Sequence, residues 1–240
     1  MNSIRFQSIL KTAPIAMGFV LFLACTKKTD PNDNSWFDKS AENCDTSKGL
    51  HFCSNWDYLG ESQFEEMVMD GVKKLNPPLK DSESVYEFGT GVGAALKVLN
   101  RHTKNLAFGG SDISEAAIKV AKDVFPDRKN YFHTMNMIEK HHFIADNTYD
   151  HVFSFGALGM YLKKDEMLLA VREATRITKP GGSLLFTHFI EPSGFAVGTI
   201  VDKVEKSFWL RELPKLGLKN VVISSMKYQG DRYQVSATKS

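Results

Sequence analysis

The sequence predicts an α/β fold: one doubly wound, seven-stranded, mostly parallel sheet whose last strand runs antiparallel. Three observations carry that expectation. From about residue 55 onward, short β-branched and aromatic runs alternate with amphipathic segments at helical spacing. The central runs, Ser183–Ile190 above all, are apolar almost throughout, as strands buried on both faces are. The last two runs, Val221–Lys227 and Tyr233–Thr238, flank a turn at Gly230-Asp231 that is too short for a crossover helix, so they must pair antiparallel.

Each element has a local reason. Gln63–Leu75 carries Phe64, Met67, Val68, Val72 and Leu75 on one helical face, and Pro77-Pro78 stops it. Ser84–Phe88 is a short strand, Gly89–Gly93 a glycine turn and Ala94–Arg101 a helix. Leu106–Asp112 is the second strand, and Ser114 with Glu115 makes a good start for a helix to Phe125. Tyr131–Thr134 and Tyr149–Phe155 are strands, the latter entered through Asp146-Asn147. Lys164–Ile177 is an amphipathic helix ended by Lys179-Pro180-Gly181-Gly182, and Val201–Leu216 is expected to be helical. A sheet wound this way opens its ligand crevice beyond the carboxyl ends of the first strands.

The first 29 residues read as an address and 30–54 as a polar linker, leaving 55–240 as the domain. Ala13–Cys25 is an apolar run of 13 residues behind Arg5 and Lys11. As a helix it reaches about 20 Å, short of a bilayer core of about 30 Å, which suits a secretory signal region or anchor better than a span. Ala24-Cys25 is also similar to the end of a bacterial lipoprotein signal, and an acid-free segment with five Ser/Thr fits a mitochondrial presequence too. These leave a membrane-associated or secretory location, with the domain facing the cytosol, or a mitochondrial one. Cys44 and Cys53 pair if the protein matures in an oxidising compartment and are ordinary thiols otherwise.

The chain's net charge is +2, and removing Arg5, Lys11, Lys27 and Lys28 leaves the remainder at −2. That is no footprint for a nucleic-acid partner. His141-His142 lacks the spacing of a helical metal site and reads as a solvated loop, so no metal is expected. Ser183 and Ser193 lack the strand-turn-helix setting of a hydrolase nucleophile.

The chemistry-bearing pattern is Glu87-Phe88-Gly89-Thr90-Gly91-Val92-Gly93 at a strand-to-helix junction. Glycines there let a ligand approach the backbone and aim helix N–H groups at it. Asp112 ends the next strand, 19 residues after Gly93. A carboxylate in that place can hold both hydroxyls of an adenosine ribose; it can equally cap the following helix. The turn also permits G-x-G-x-x-A (Gly89, Gly91, Ala94), a dinucleotide-binding variant, so a nicotinamide-dependent oxidoreductase stays open on the turn alone.

With these motifs in order the chain resembles the class I S-adenosylmethionine-dependent methyltransferases, the small-molecule "type 11" group in particular. Gly110-Ser111-Asp112-Ile113-Ser114 looks like that family's second motif. The segment from Asp146 through Tyr149-Asp150-His151-Val152 to Ser154 looks like its polar turn and fourth strand, and the one from Arg172 to Gly182 like its helix and PGG turn. The resemblance implies S-adenosyl-L-methionine as cofactor and a small, partly apolar acceptor. It implies Glu87, Gly89 and Gly91 on the methionine moiety, Asp112 on the ribose, Ile113 against adenine and Asn136-Met137 at the adenine edge. It further implies Ser154 and Phe155 beside the sulfonium, and Tyr58 as a lid residue. Where related enzymes often carry Asp, this chain has Asn136. Asn76-Pro77-Pro78-Leu79 is similar to the motif of amino-group methyltransferases, but it precedes the first strand and reads as a helix stop. His188, Glu191 and Tyr161, at strand ends facing the crevice, are candidate catalytic residues if the acceptor needs a base. Phe195–Trp209, with Phe208 and Trp209, is expected to form an apolar lid. A non-catalytic, membrane-tethered binding protein on the same fold is the alternative.

Overall fold

The strand order of the sheet reverses between its two central strands, and that reversal is what builds a ligand crevice. The computed structural model describes residues 35–53, 59–189 and 204–240. Its strands are β1 (Ser84–Phe88), β2 (Ala107–Asp112), β3 (Phe132–Thr134), β4 (Tyr149–Ala157), β5 (Thr178–Phe189), β6 (Leu218–Met226) and β7 (Gln229–Lys239). They form one seven-stranded sheet in the order β3-β2-β1-β4-β5-β7-β6. β1 pairs in parallel with β2 on one side and with β4 on the other, while β7 is antiparallel to both β5 and β6. The α/β, mostly parallel, seven-stranded expectation holds.

Helices cover both faces: α1 (Ser35–Glu42), α2 (Glu61–Val72), α3 (Ala94–His102), α4 (Glu115–Val124), α5 (Leu158–Tyr161), α6 (Lys164–Ile177) and α7 (Lys206–Glu212). The two cores follow from strand alternation. Val85 faces the cluster built with α2, α3 and α4, whereas Tyr86 and Phe88 face the cluster built with α6 and α7. A strand apolar on both faces is stable only with both faces covered, which the parallel connections ensure.

Several expectations are corrected. Residues 35–53 do not form a linker: α1 packs on α4, and Ala41, Leu50 and Cys53 join the core. Cys44 and Cys53 form a disulfide. β4 runs two residues beyond Phe155, to Ala157, and β5 begins at Thr178 rather than Ser183. The hairpin between β6 and β7 turns at Lys227-Tyr228, not at Gly230-Asp231, because Met226 pairs with Gln229. Tyr228 takes a left-handed φ of 61° there, and both turn side chains reach Glu66 on α2. Trp209 is no lid: it is fully buried against Phe186 at 4.7 Å, and its Nε1 donates to Tyr233 Oη at 3.0 Å. Helical spacing on α7 turns Trp209 inward and leaves Leu210 at 54% exposure on the solvent side.

No helix among the described residues is long and apolar enough to cross a membrane. The Ala13–Cys25 run, most of the Phe195–Trp209 insertion, Tyr58 and Glu191 lie outside the described residues.

Candidate active site

The site begins where β1 ends. Glu87 is the last inward carboxylate of the strand, 2% exposed, and accepts a bond from Thr90 Oγ1 at 3.0 Å. Burial pushes its carboxyl up to about 8, the nearby Asp112 charge adds to that, and the Thr90 and Phe155 donors oppose it. After it the chain turns through Gly89, with φ of 68°, and Gly91, with φ of 53°. The two glycines serve different ends. A Cβ on Gly89 would sit 2.2 Å from Ala157 Cβ and 3.2 Å from Met137 Cε, so this glycine lets the ends of β1 and β4 close on each other. A Cβ on Gly91 would meet nothing within 4 Å, so that side of the turn faces open space.

Asp112 stands at the end of β2 and is gripped by backbone. Gly91 N donates to its Oδ2 at 2.8 Å and Ser114 N to its Oδ1 at 2.9 Å. It does not cap α4; Ser114 does, through Ala117 N to Ser114 Oγ at 3.0 Å. Desolvation raises the Asp112 carboxyl above its usual range, against the backbone N–H groups of Ser114, Gly91 and Ile113, while Asp38 raises it further. Among the described residues neither Glu87 nor Asp112 forms an ion pair with Lys, Arg or His. A buried and a half-buried carboxyl group with only N–H and O–H donors around them are chemically prepared for a cationic or hydroxyl-rich ligand.

The remaining sequence-predicted residues divide into three groups. Met137 reaches the glycine turn, and Asn136 folds its Oδ1 back to Ile138 N at 3.2 Å, holding that loop beside it. Ile113 follows Asp112 and is half-buried. Ser154 and Phe155 lie within β4 instead of at its end. Ser154 is buried, its Oγ accepting from Leu158 N at 3.1 Å, and the Phe155 ring packs into the core under α2 while its amide faces Glu87. Tyr161 is half-buried on α5, directly after β4, and His188 lies near the end of β5, in register with Tyr233.

Sequence reasoning missed three residues. Thr90 bonds Glu87, and Asp38 reaches the α4 N-terminus from a segment expected to be linker. His141 is the third, and it corrects the solvated-loop expectation for the pair, since only His142 is exposed. The His141 ring is fully buried, stacked on Phe88 at 4.9 Å, with Nε2 3.0 Å from Ser111 Oγ and Nδ1 3.0 Å from Glu139 O. Desolvation holds it below the usual histidine range. Its backbone N donates to Glu173, which Arg176 pairs with in turn, so it ties the loop to α6. At the opposite end of the sheet His151 touches Ser183 Oγ at 2.6 Å and Glu83 at 2.9 Å. Both His151 and Ser183 are closed to solvent, so this serine, histidine and glutamate are structural. No group of three or more His, Cys, Asp or Glu side chains among the described residues is arranged to hold a metal ion.

The strand order reverses beside the glycine turn and the acid that ends β2, so the ligand crevice of this open α/β sheet opens there. Residues 86–186 match the family model described as "Methyltransferase domain". The comparison with curated proteins finds no match. Among solved structures, magnesium protoporphyrin IX methyltransferase from Synechocystis with bound S-adenosylhomocysteine is similar at 15% identity and a TM-score of 0.61, over 88% of this chain and 100% of that one. A chain from the Haloferax volcanii complex of the Trm112 methyltransferase activator is similar at 17% identity and a TM-score of 0.65, over 84% and 96%. Haemonchus contortus phosphoethanolamine N-methyltransferase 2, in complex with phosphomonomethylethanolamine and S-adenosylhomocysteine, is similar at 14% identity and a TM-score of 0.57, over 80% and 59%. Residues 86–186 thus resemble a methyltransferase domain, and the solved structures share this chain's fold.

Proposed function

We propose that this protein moves the methyl group of S-adenosylmethionine to a small, partly apolar acceptor by in-line displacement. The observation that carries the reading is the pair Glu87 and Asp112, desolvated on either side of a glycine turn whose Gly91 opens to space. When bound, S-adenosylmethionine supplies an electrophilic methyl group on a sulfonium. The chain's part is to hold and to align. Asp112, already oriented by Gly91 N and Ser114 N, takes the ribose hydroxyls; Glu87 lies where an ammonium would replace the proton it holds near neutral pH. Ile113 and Met137 offer apolar surface to adenine beside Asn136. Near-attack alignment in a dry site contributes about 7–11 kcal/mol to such reactions. Tyr161, His188 and Glu191 are the candidate bases for an oxygen acceptor. The charge of −2 outside the first 29 residues supports a small molecule over nucleic acid.

For location, the apolar N-terminal run supports a membrane or secretory route. The Cys44–Cys53 disulfide supports the oxidising side of that membrane over the cytosolic one. Protease protection in intact vesicles tests it: a protected domain supports the oxidising side, and a digested one supports the cytosolic side.

Thermal denaturation of the full-length protein with S-adenosylmethionine, S-adenosylhomocysteine and NAD, repeated on Asp112→Ala, tests the function. Ligand at about 100 times Kd adds about 2.7 kcal/mol, a rise of about 2–4 °C per kcal/mol for a domain of this size. A rise with the two sulfur ligands that the variant loses supports the reading, and a rise with NAD alone contradicts it.

A further inference from the structure

We propose that the Cys44–Cys53 disulfide is a thiol-sensitive latch on the cofactor site, holding Asp38 against the N-terminus of α4 beside Asp112. The proposal rests on the methyltransferase reading for its consequence, though not for its geometry. Asp38 Oδ1 accepts from Ser114 Oγ at 2.6 Å and from Ala116 N at 3.3 Å. Ser114 in turn donates its backbone N–H to Asp112. Asp38 is therefore one residue removed from the carboxylate assigned to the ribose, and it is a positioning residue for it.

Two things hold Asp38 there, the packing of α1 on α4 and the disulfide. Of the described side chains of α1, only Ala41 joins the core; Lys39 and Glu42 face solvent. The short 3-10 turn Leu50–Cys53 is firmly seated by contrast, with Leu50 and Cys53 in the core and His51 stacked on Phe64 of α2 at 5.8 Å. Cys44, two residues past the end of α1, is bonded to Cys53, so α1 is tied to that turn. Reduction by a dithiol breaks the S–S bond and forms two S–H groups. The two electrons and two protons come from the dithiol, which closes to its own disulfide. The tether is then lost, α1 loosens, and the α4 N-terminus loses an anionic cap.

The test compares the full-length protein, oxidised and after treatment with dithiothreitol, by amide hydrogen exchange and by S-adenosylhomocysteine titration. Faster exchange at Ser114–Ala117 after reduction, with affinity weakened about five- to tenfold, is the expected result. A Cys44→Ser/Cys53→Ser variant should match the reduced protein and ignore dithiothreitol. Asp38→Ala should weaken binding with the disulfide intact, and Asp38→Asn, which keeps the acceptor oxygen, should recover part of it. Exchange unchanged on reduction overturns the latch. An oxidised protein that binds no S-adenosylhomocysteine counts against the methyltransferase reading, while exchange at Ser114–Ala117 still decides the latch.

Discussion

The two ends of the parallel strands treat their carboxyl groups in opposite ways. At the amino ends of β1, β4 and β5, Asp150 meets Lys179 at 2.8 Å and Ser84 Oγ at 2.6 Å, and Glu83 meets His151 at 2.9 Å. At the carboxyl ends, Glu87 and Asp112 are desolvated with no cation beside them among the described residues. The first arrangement is complete within the protein. The second raises both carboxyls and becomes favourable only when something else supplies the positive charge or the hydroxyls. A protein that leaves its carboxyl groups without a basic partner at one end of a sheet and gives them one at the other has divided stability from function along the strands.

That division can be broken or sharpened. The largest effect is expected behind the sheet, where Trp209→Ala should cost about 3–5 kcal/mol in chemical denaturation by emptying a fully buried site. Unchanged stability with altered acceptor turnover would return Trp209 to the lid. Next, Asp112→Asn should weaken S-adenosylhomocysteine binding by about 1.5–3 kcal/mol, or about ten- to hundredfold, in a calorimetric titration. At the other end Glu83→Gln should do the reverse: about 1–2 kcal/mol off the stability and no change in that affinity. If Glu83→Gln alters cofactor affinity, the two ends are not independent. The smallest effect is Lys179→Ala, under about 1 kcal/mol by the same denaturation assay, because the pair is partly solvated.

The carboxyl end was legible in the sequence and its supports were not, for a physical reason. Glu87, Gly89, Gly91 and Asp112 lie on adjacent strands and a tight turn, where local backbone constraints leave marks in residue type. Asp38 and Ser114 are 76 residues apart, and nothing in either neighbourhood encodes their bond. His141 looked solvated because its neighbours are polar; it is buried because Ser111, Glu139 O and the Phe88 face complete a polar socket for it. Trp209 was misread because the segment before it has no clear period, and the inward face of a seven-residue helix shows only once Phe186 and Tyr233 are in place. Turn chemistry misled as well: Gly230-Asp231 is the better turn pair, yet the cross-strand register and the contacts to Glu66 put the turn at Lys227-Tyr228.

The central claim is that Glu87 awaits a cationic group and Asp112 the hydroxyls of the same ligand, and proton linkage at Glu87 tests it most directly. A buried carboxyl raised from 4.5 to about 8 keeps its proton in the folded state across that window. The ligand-free protein therefore loses stability as pH rises through the window, while a cation that displaces the proton binds more tightly over the same range. S-adenosylmethionine should be titrated calorimetrically into the full-length protein at about pH 6 and about pH 7.5, in buffers of different ionisation enthalpy, with Glu87→Gln alongside. The account predicts proton release on binding and an affinity that rises by up to about tenfold per pH unit, both abolished in the variant. Equal affinity at the two pH values with no proton exchanged would contradict it.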